Sequence, residues 1–208
     1  MNTIKKISIV IVLLTMFIIV SAFSYASAVS NNIADSVFRL HVIANSDSTE
    51  DQTLKFIVRD NLINYMNSLT KDITSKEAAI QIAKDHEQDF YRIAKQTISE
   101  QGYDYDVKVE IGNSYFPTKN YGDISLPAGY YDALKVEIGC ASGQNWWCVM
   151  FPPLCFVDMS TGIVPDESKN TIRENLPNEE YALISDTSNN NINFKFKLLE
   201  FWGMSQSR

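Results

Sequence analysis

The stretch Val37-Phe38-Arg39-Leu40-His41-Val42-Ile43-Ala44 decides the fold, because its residues alternate as they do in a strand with two different faces. Apolar side chains fill one face, and the other face carries Arg39 and His41. Asn45-Ser46-Asp47-Ser48 follows at once, and these residue types favour turns and helix N-caps. The sequence therefore predicts a strand that leads directly into a helix.

The predicted helix is amphipathic. A capping box at its start is formed by Ser48 with Asp51, or alternatively by Asp47 with Glu50. Its apolar residues recur at helical spacing and form one stripe, which consists of Leu54, Val58, Leu62, Tyr65, Met66 and Leu69. We therefore expect this helix to pack one face on a core.

A second helix is predicted directly after the first. Thr74 and Glu77 form its capping box, and Gly102 lies where glycine commonly ends a helix. Its apolar stripe consists of Ala79, Ala83, Phe90, Ala94 and Ile98. His86 fills a gap in that stripe, so we expect it at the edge of the core.

Strand patterns follow the helices. Residues 103–111 alternate between apolar and charged side chains, and residues 134–138 alternate again after a predicted loop at residues 112–129. Residues 146–151 are apolar throughout, as in a central strand covered on both faces, and Pro152-Pro153 ends that strand.

The C-terminal part is less regular, with a predicted helical piece at residues 166–176 and a final strand at residues 192–198. The order of these elements predicts an α+β domain, in which two consecutive helices pack on one face of a mostly antiparallel sheet.

The N-terminus has the pattern of an export signal. Lys5 and Lys6 precede an apolar run at residues 7–20, and Ala26-Ser27-Ala28 matches an A-x-A cleavage site. We expect cleavage after Ala28, which divides the chain into a signal peptide, residues 1–28, and a single extracytoplasmic domain, residues 29–208. The alternative is a retained membrane anchor, because the apolar segment is near the lower limit of roughly 17 residues for spanning a bilayer.

The charge balance argues against a nucleic-acid partner. The chain has 18 Lys and Arg residues against 25 Asp and Glu residues, which gives a net charge of -7. Such a surface is repelled by nucleic acid and by anionic lipid heads. We therefore expect membrane contact only through the signal segment.

Several long motifs resemble those of one protein family. The first is Arg39-Leu40-His41-Val42-Ile43-Ala44-Asn45-Ser46-Asp47-Ser48, and two later ones are Leu126-Pro127-Ala128-Gly129-Tyr130 and Asn145-Trp146-Trp147-Cys148-Val149-Met150-Phe151-Pro152-Pro153-Leu154-Cys155-Phe156. In this order they resemble the stage II sporulation protein R family over about residues 36–160. Several long motifs in the right order are far more specific than any short pattern.

The resemblance implies a signalling protein of endospore-forming bacteria. Members of the family are made in the forespore and exported into the space between the membranes that separate forespore from mother cell. There they activate a membrane-embedded aspartic peptidase that removes the pro-sequence of sigma-E. The expected partner of this chain is therefore that peptidase.

The polar part of the first motif is the predicted partner-binding surface, because loops on rigid elements often hold binding residues. The surface consists of Arg39, His41, Asn45, Asp47, Asp51 and Arg59. An alternative of about equal weight is that these residues only cap the helix and satisfy one another's polar groups.

We expect no enzyme activity, cofactor or metal site. Cys148 with His41 could suggest a hydrolase, but a thiol inside an apolar strand has a raised pKa and is a poor nucleophile. The cysteines and histidines lack zinc-ligand spacing. An exported hydrolase with an unrecognised active site is the alternative to the signalling function.

Three cysteines in an exported chain leave at least one unpaired within the chain. Cys148 with Cys155 is the first choice for a disulfide, because both lie in the family-like motif and the Pro152-Pro153 bend between them could bring them together. Cys140 with Cys148 is the second choice. A third reading keeps all three as reduced, buried thiols.

Overall fold

The computed structural model describes residues 3–155, 164 and 166–185 of the chain. The elements are, in order, α1 (Thr3–Ser36), β1 (Phe38–Ile43), α2 (Thr49–Leu69), α3 (Lys76–Asp85), α4 (Glu87–Glu100), β2 (Val107–Phe116), β3 (Lys119–Tyr121), β4 (Ile124–Leu126), β5 (Gly129–Ile138), β6 (Asn145–Phe151), α5 (Asp166–Glu174) and α6 (Asn178–Ser185). The strand predicted at residues 192–198 lies outside the described residues.

Four strands form the main sheet, in the order β2-β5-β1-β6. β1 pairs parallel with β5 and antiparallel with β6, while β2 pairs antiparallel with β5. Because β1 lies inside the sheet and both of its faces are covered, all six of its residues are buried. The predicted α+β class is confirmed, and two of the three strand pairings are antiparallel.

The helices α2, α3 and α4 cover one face of this sheet. Leu40 and Val42 of β1 and Leu134 of β5 pack there against the apolar stripes of the helices. The helix predicted from residue 74 onward is interrupted at His86, which caps the end of α3 and the start of α4. Its N-cap is Ser75 rather than Thr74, because the Ser75 hydroxyl accepts the Ala78 N–H.

Part of the opposite face of the sheet is covered as well, as the apolar pattern of residues 146–151 indicated, although β6 is at the edge of the described sheet and not central. The last two turns of α1, the β3–β4 hairpin, α5 and α6 form a second apolar core on that face. β2 continues to Phe116 and the hairpin occupies residues 119–126, so the predicted loop is mostly strand. Arg39 and His41 therefore face a buried layer.

α1 combines an exposed apolar stretch with a packed end. It is long and apolar enough to cross a membrane, and none of its most apolar part is buried in the folded body. Phe17 is 70% exposed, whereas Val29 is 4% and Ile33 is 0% exposed. Packing against the domain thus begins directly after Ala28.

Candidate functional site

Two loops at one end of the sheet bind each other, and we call them together the polar joint: residues 44–51, the loop after β1 with the first turn of α2, and residues 139–144, between β5 and β6. The Asn45 carbonyl accepts hydrogen bonds from the Ser142 N–H (3.2 Å) and hydroxyl (2.7 Å). The Asn45 side-chain oxygen accepts the Cys140 N–H at 2.9 Å. Asp47 Oδ1 accepts the Gln144 N–H at 2.7 Å. The motif that decides the fold therefore also fastens two distant loops.

Asp51 is the centre of the first loop. Its Oδ2 accepts hydrogen bonds from Asn45 Nδ2 (2.8 Å) and from the Ser46 hydroxyl (2.5 Å), and the residue is 4% exposed. The Asp51 N–H donates to Ser48 Oγ at 3.1 Å, so Ser48 is the N-cap of α2. Burial acts to raise the pKa of Asp51, but the bonds from Ser46, Asn45 and Tyr105 outweigh burial and lower that pKa.

Two glycines allow the loops to approach each other, and the sequence analysis missed their role. A Cβ at Gly143 would collide with the Ser46 carbonyl, and one at Gly139 would collide with the Asn45 side chain. Gly139 also has a φ of +56°, which favours glycine. Two glycines between predicted strands indicate a turn, but the sequence alone does not show which loop this turn packs against.

Lys55 of α2 holds the second loop from the helix side. It is 2% exposed, and its Nζ donates to Gln52 Oε1 (2.5 Å) and to the Gln144 carbonyl (3.0 Å). Burial, and then the nearby Arg59 charge, lower the pKa of Lys55. Sequence analysis did not single out this lysine.

Arg59 lies one turn farther along α2, at the edge of the joint. Its guanidinium stacks over the Trp146 ring at 4.3 Å and the Phe56 ring at 4.8 Å, and it pairs with Asp60 at 2.7 Å. The side chain is 17% exposed. Arg59 thus presents a small cationic and aromatic surface beside β6.

Arg39 lies apart from the joint, under the β3–β4 hairpin. It is completely buried, with its guanidinium 4.1 Å from the Phe116 ring centre and 4.6 Å from that of Tyr131. Its Nη2 donates to the Tyr121 hydroxyl at 2.5 Å. In this conformation Arg39 supports the second core and has no surface to offer a partner.

His41 lies on the same face as Arg39 and is 8% exposed. Its Nε2 donates to Asn145 Oδ1 at 2.7 Å, and its ring stacks on Trp147 with centroids 5.6 Å apart. Burial lowers the pKa of His41, and the bond to Asn145 only partly opposes this effect. His41 is therefore a neutral, buried ring at physiological pH.

The cysteines give no nucleophile next to His41. Cys148 and Cys155 form a disulfide with Cα atoms 5.1 Å apart, which is the pairing ranked first from the sequence. Cys148 points into the helix-covered core, and His41 lies on the opposite face of the sheet. Cys140 is a free, exposed thiol.

The structure places the six predicted contact residues in three settings. The polar joint contains Asn45, Asp47 and Asp51, and Arg59 lies at its edge. Arg39 and His41 are buried on the face of the sheet opposite the helices. The role of all six in recognition stays a prediction. Within the described ranges, no group of three His, Cys, Asp or Glu side chains could hold a metal ion.

Comparisons with known proteins agree with the motifs. The family model for stage II sporulation protein R matches residues 34–161. Stage II sporulation protein R of Bacillus subtilis (strain 168) is 41% identical over 138 residues, which cover 66% of this chain and 62% of that protein. No solved structure matches this chain. The family match spans β1, α2–α4 and the whole sheet, and the chain therefore belongs to the stage II sporulation protein R family.

Proposed function

We propose that this chain is an exported sporulation signal that activates the membrane-embedded aspartic peptidase responsible for processing pro-sigma-E. The observation that carries this proposal is the family match over residues 34–161, which includes the polar joint and the disulfide. In this role the chain acts in the space between the forespore and mother-cell membranes, where it couples gene expression in the two cells.

The N-terminal helix supports export. Its apolar part lies outside the folded body, and the buried residues begin at Val29. Cleavage after Ala28 releases the domain, and retention leaves it anchored beside the membrane that it crossed. With Lys5 and Lys6 on the cytoplasmic side of the apolar segment, either form places residues 29–185 on the far side of that membrane.

The arrangement of the joint suits a binding protein. Asp47 and Glu50 are exposed at the start of α2, and the hydrogen bonds beneath them fix the loop in one conformation. A preformed polar loop binds a partner at a lower cost in conformational entropy than a mobile one. An activating ligand must also bind the active peptidase more tightly than the inactive one.

Enzyme activity finds little support in the geometry. The sulfur of Cys148 is bonded to Cys155, and His41 lies across the sheet from it. The cysteine and histidine weighed as a nucleophile and base are therefore separated. We propose that the chain acts by binding and has no hydrolase activity.

Reconstitution tests this proposal. The full chain, the purified peptidase in lipid vesicles and pro-sigma-E are combined, and cleavage of pro-sigma-E is followed with each component omitted in turn. Cleavage that requires both the chain and the peptidase supports the proposal. Cleavage by the chain alone would show that it is an enzyme, and cleavage by the peptidase at the same rate without the chain would refute activation.

A matched pair of variants then tests the joint as the contact surface. Asp47→Ala removes an exposed carboxylate that also accepts the Gln144 N–H, whereas Glu50→Ala removes an exposed carboxylate in the first turn of α2. If the joint contacts the peptidase, either variant lowers activation when the chain is used at a concentration that does not saturate the peptidase. If activation falls only in proportion to the loss of thermal stability, the joint contributes to folding and not to the contact with the peptidase.

A further inference from the structure

β2 is the last strand on its side of the main sheet, and no strand among the described residues pairs with its outer side. The Asp106 carbonyl accepts the Gly139 N–H at 2.8 Å, so the peptide groups of Asp106 face β5. Peptide direction alternates along an antiparallel strand, so Val107, Val109 and Ile111 direct their N–H and C=O groups away from β5. Such a row of peptide groups is a template for another strand.

On the face opposite the helices, the end of β2 and β5 that the second core leaves uncovered carries charges of alternating sign. Lys108 lies opposite Glu137, and Glu110 lies opposite Lys135. Along each strand the signs alternate as well: Lys108 Nζ is 3.0 Å from Glu110 Oε2, and Lys135 Nζ is 2.6 Å from Glu137 Oε1. Each of these charges therefore has opposite charges as its neighbours within the sheet.

We propose that a second copy of this chain adds to the outer side of β2, antiparallel to it, around a two-fold axis at Val109. In this register the Lys108 of each copy lies opposite the Glu110 of the other, and two opposite-charge pairs form across the axis. The alternation of sign then continues from one sheet into the next. Cross-strand pairs of opposite charge stabilise a sheet, and like charges destabilise it.

Neighbouring registers do not give this complementarity. An axis at Ile111 would place Glu110 opposite Gly112 and leave both charges without a charged partner. An axis at Val107 would place Lys108 opposite Asp106 but Glu110 opposite Asp104, so two repulsive pairs would offset the two attractive pairs. The apolar face favours the same register, because the half-buried Val109 and Ile111 pack at the edge of the helix-covered core, where a second copy would cover them.

Disulfide trapping tests this register with the full chain. In a Cys140→Ser background, which removes the free thiol, one chain carries Lys108→Cys and another carries Glu110→Cys. Residues 108 and 110 of the two copies form a pair outside the hydrogen-bonded positions, with Cα atoms about 4.5 Å apart, which a disulfide can bridge. Residue 108 lies diagonal to its own copy, at about 7–8 Å, which a disulfide does not bridge.

Mild oxidation of the mixed chains should therefore give a disulfide-linked dimer. Because only the 108–110 pair lies within disulfide distance, we expect the mixture to give about tenfold more linked dimer than either variant alone. Non-reducing gels and peptide mapping measure the 108–110 link. No linked dimer from the mixture, or equal amounts from the single variants, would overturn the proposal. That result would leave the proposed activator function untouched, because that proposal rests on the family match and not on this edge.

Charge inversion provides a second test. A variant chain keeps the alternation of charge sign, both within its own sheet and with its own copies, when all four charges are inverted. Its substitutions are Lys108→Glu, Glu110→Lys, Lys135→Glu and Glu137→Lys. Mixed with the natural chain, it places Lys opposite Lys and Glu opposite Glu across the axis. We expect mixed dimers to be roughly tenfold weaker than either homodimer. Equal dissociation constants for mixed dimers and homodimers in sedimentation measurements would show that these charges do not determine the contact.

Discussion

Replacement of Asp51 by alanine tests the polar joint directly, because one carboxylate oxygen accepts two side-chain hydrogen bonds. Asp51→Ala leaves Asn45 Nδ2 and the Ser46 hydroxyl without that acceptor. A hydrogen bond to a charged group contributes about 1.5–3 kcal/mol. Asn45 and Ser46 are only half-buried, so water can replace part of the loss. We therefore expect the free energy of unfolding to fall by about 3 kcal/mol.

The measurement is urea unfolding of the full chain in detergent micelles, followed by tryptophan fluorescence, since Trp146 and Trp147 lie beside the joint. For a chain of this size, a loss of about 3 kcal/mol corresponds to a fall in Tm of roughly 6–12 °C. Glu50→Ala is the matched control, because it removes a carboxylate of the same helix turn that is exposed. That control should change stability by no more than about 0.5 kcal/mol.

The pH dependence of the free energy of unfolding separates the effect of the Asp51 charge from the effect of its packing. Since the folded pKa of Asp51 is lowered, its contribution is present above the unfolded value of 3.8 and is lost as pH falls below it. The stability gap between the natural chain and Asp51→Asn should therefore close in acid. A loss below about 1 kcal/mol for Asp51→Ala, or an equal loss for Glu50→Ala, would show that Asp51 does not organise the joint.

Three further predictions follow from other contacts. Gly143→Ala should destabilise the domain by more than about 2 kcal/mol, because its Cβ meets backbone, whereas Gly112→Ala, with open space around it, should be neutral or slightly stabilising in the same unfolding assay. Stability should fall between about pH 7.5 and 5.5, because unfolded histidine takes up a proton that the buried His41 resists, and His41→Phe should flatten this fall. In non-reducing peptide mapping, alkylation should label Cys140 alone, and Cys155→Ser should cost about 2–3 kcal/mol in the closed-loop model.

Local patterns predicted the elements on the helix-covered side of the sheet. Alternation in β1 gave the correct faces, and Ser48 was one of two N-caps considered for α2. These features depend on residues within a few positions of one another. The interruption at His86 was not predicted, and the His86 ring there contacts both the nearby Asp89 and the Tyr65 hydroxyl, 21 residues away.

Long-range contacts explain the differences at the site. The Asn45–Cys140 bond joins residues that are 95 positions apart, and no local pattern shows which turn meets which loop. Arg39 was expected at a surface because its strand alternates between polar and apolar residues. It is buried because α1 and the β3–β4 hairpin, which lie elsewhere in the sequence, cover its face.

The end of α1 links the predicted export signal to the fold. Val29 and Ile33 fill the second core, and Lys76 Nζ bonds both the Ala34 carbonyl (3.0 Å) and Asp132 (2.7 Å), so the last turns of α1 are tied to β5. Cleavage at the predicted site after Ala28 would remove none of the buried residues of this packing. Because the tie lies beyond the cleavage site, the same domain can fold in a released or an anchored form. The choice between the two forms therefore rests with the processing of α1 and not with the stability of the domain.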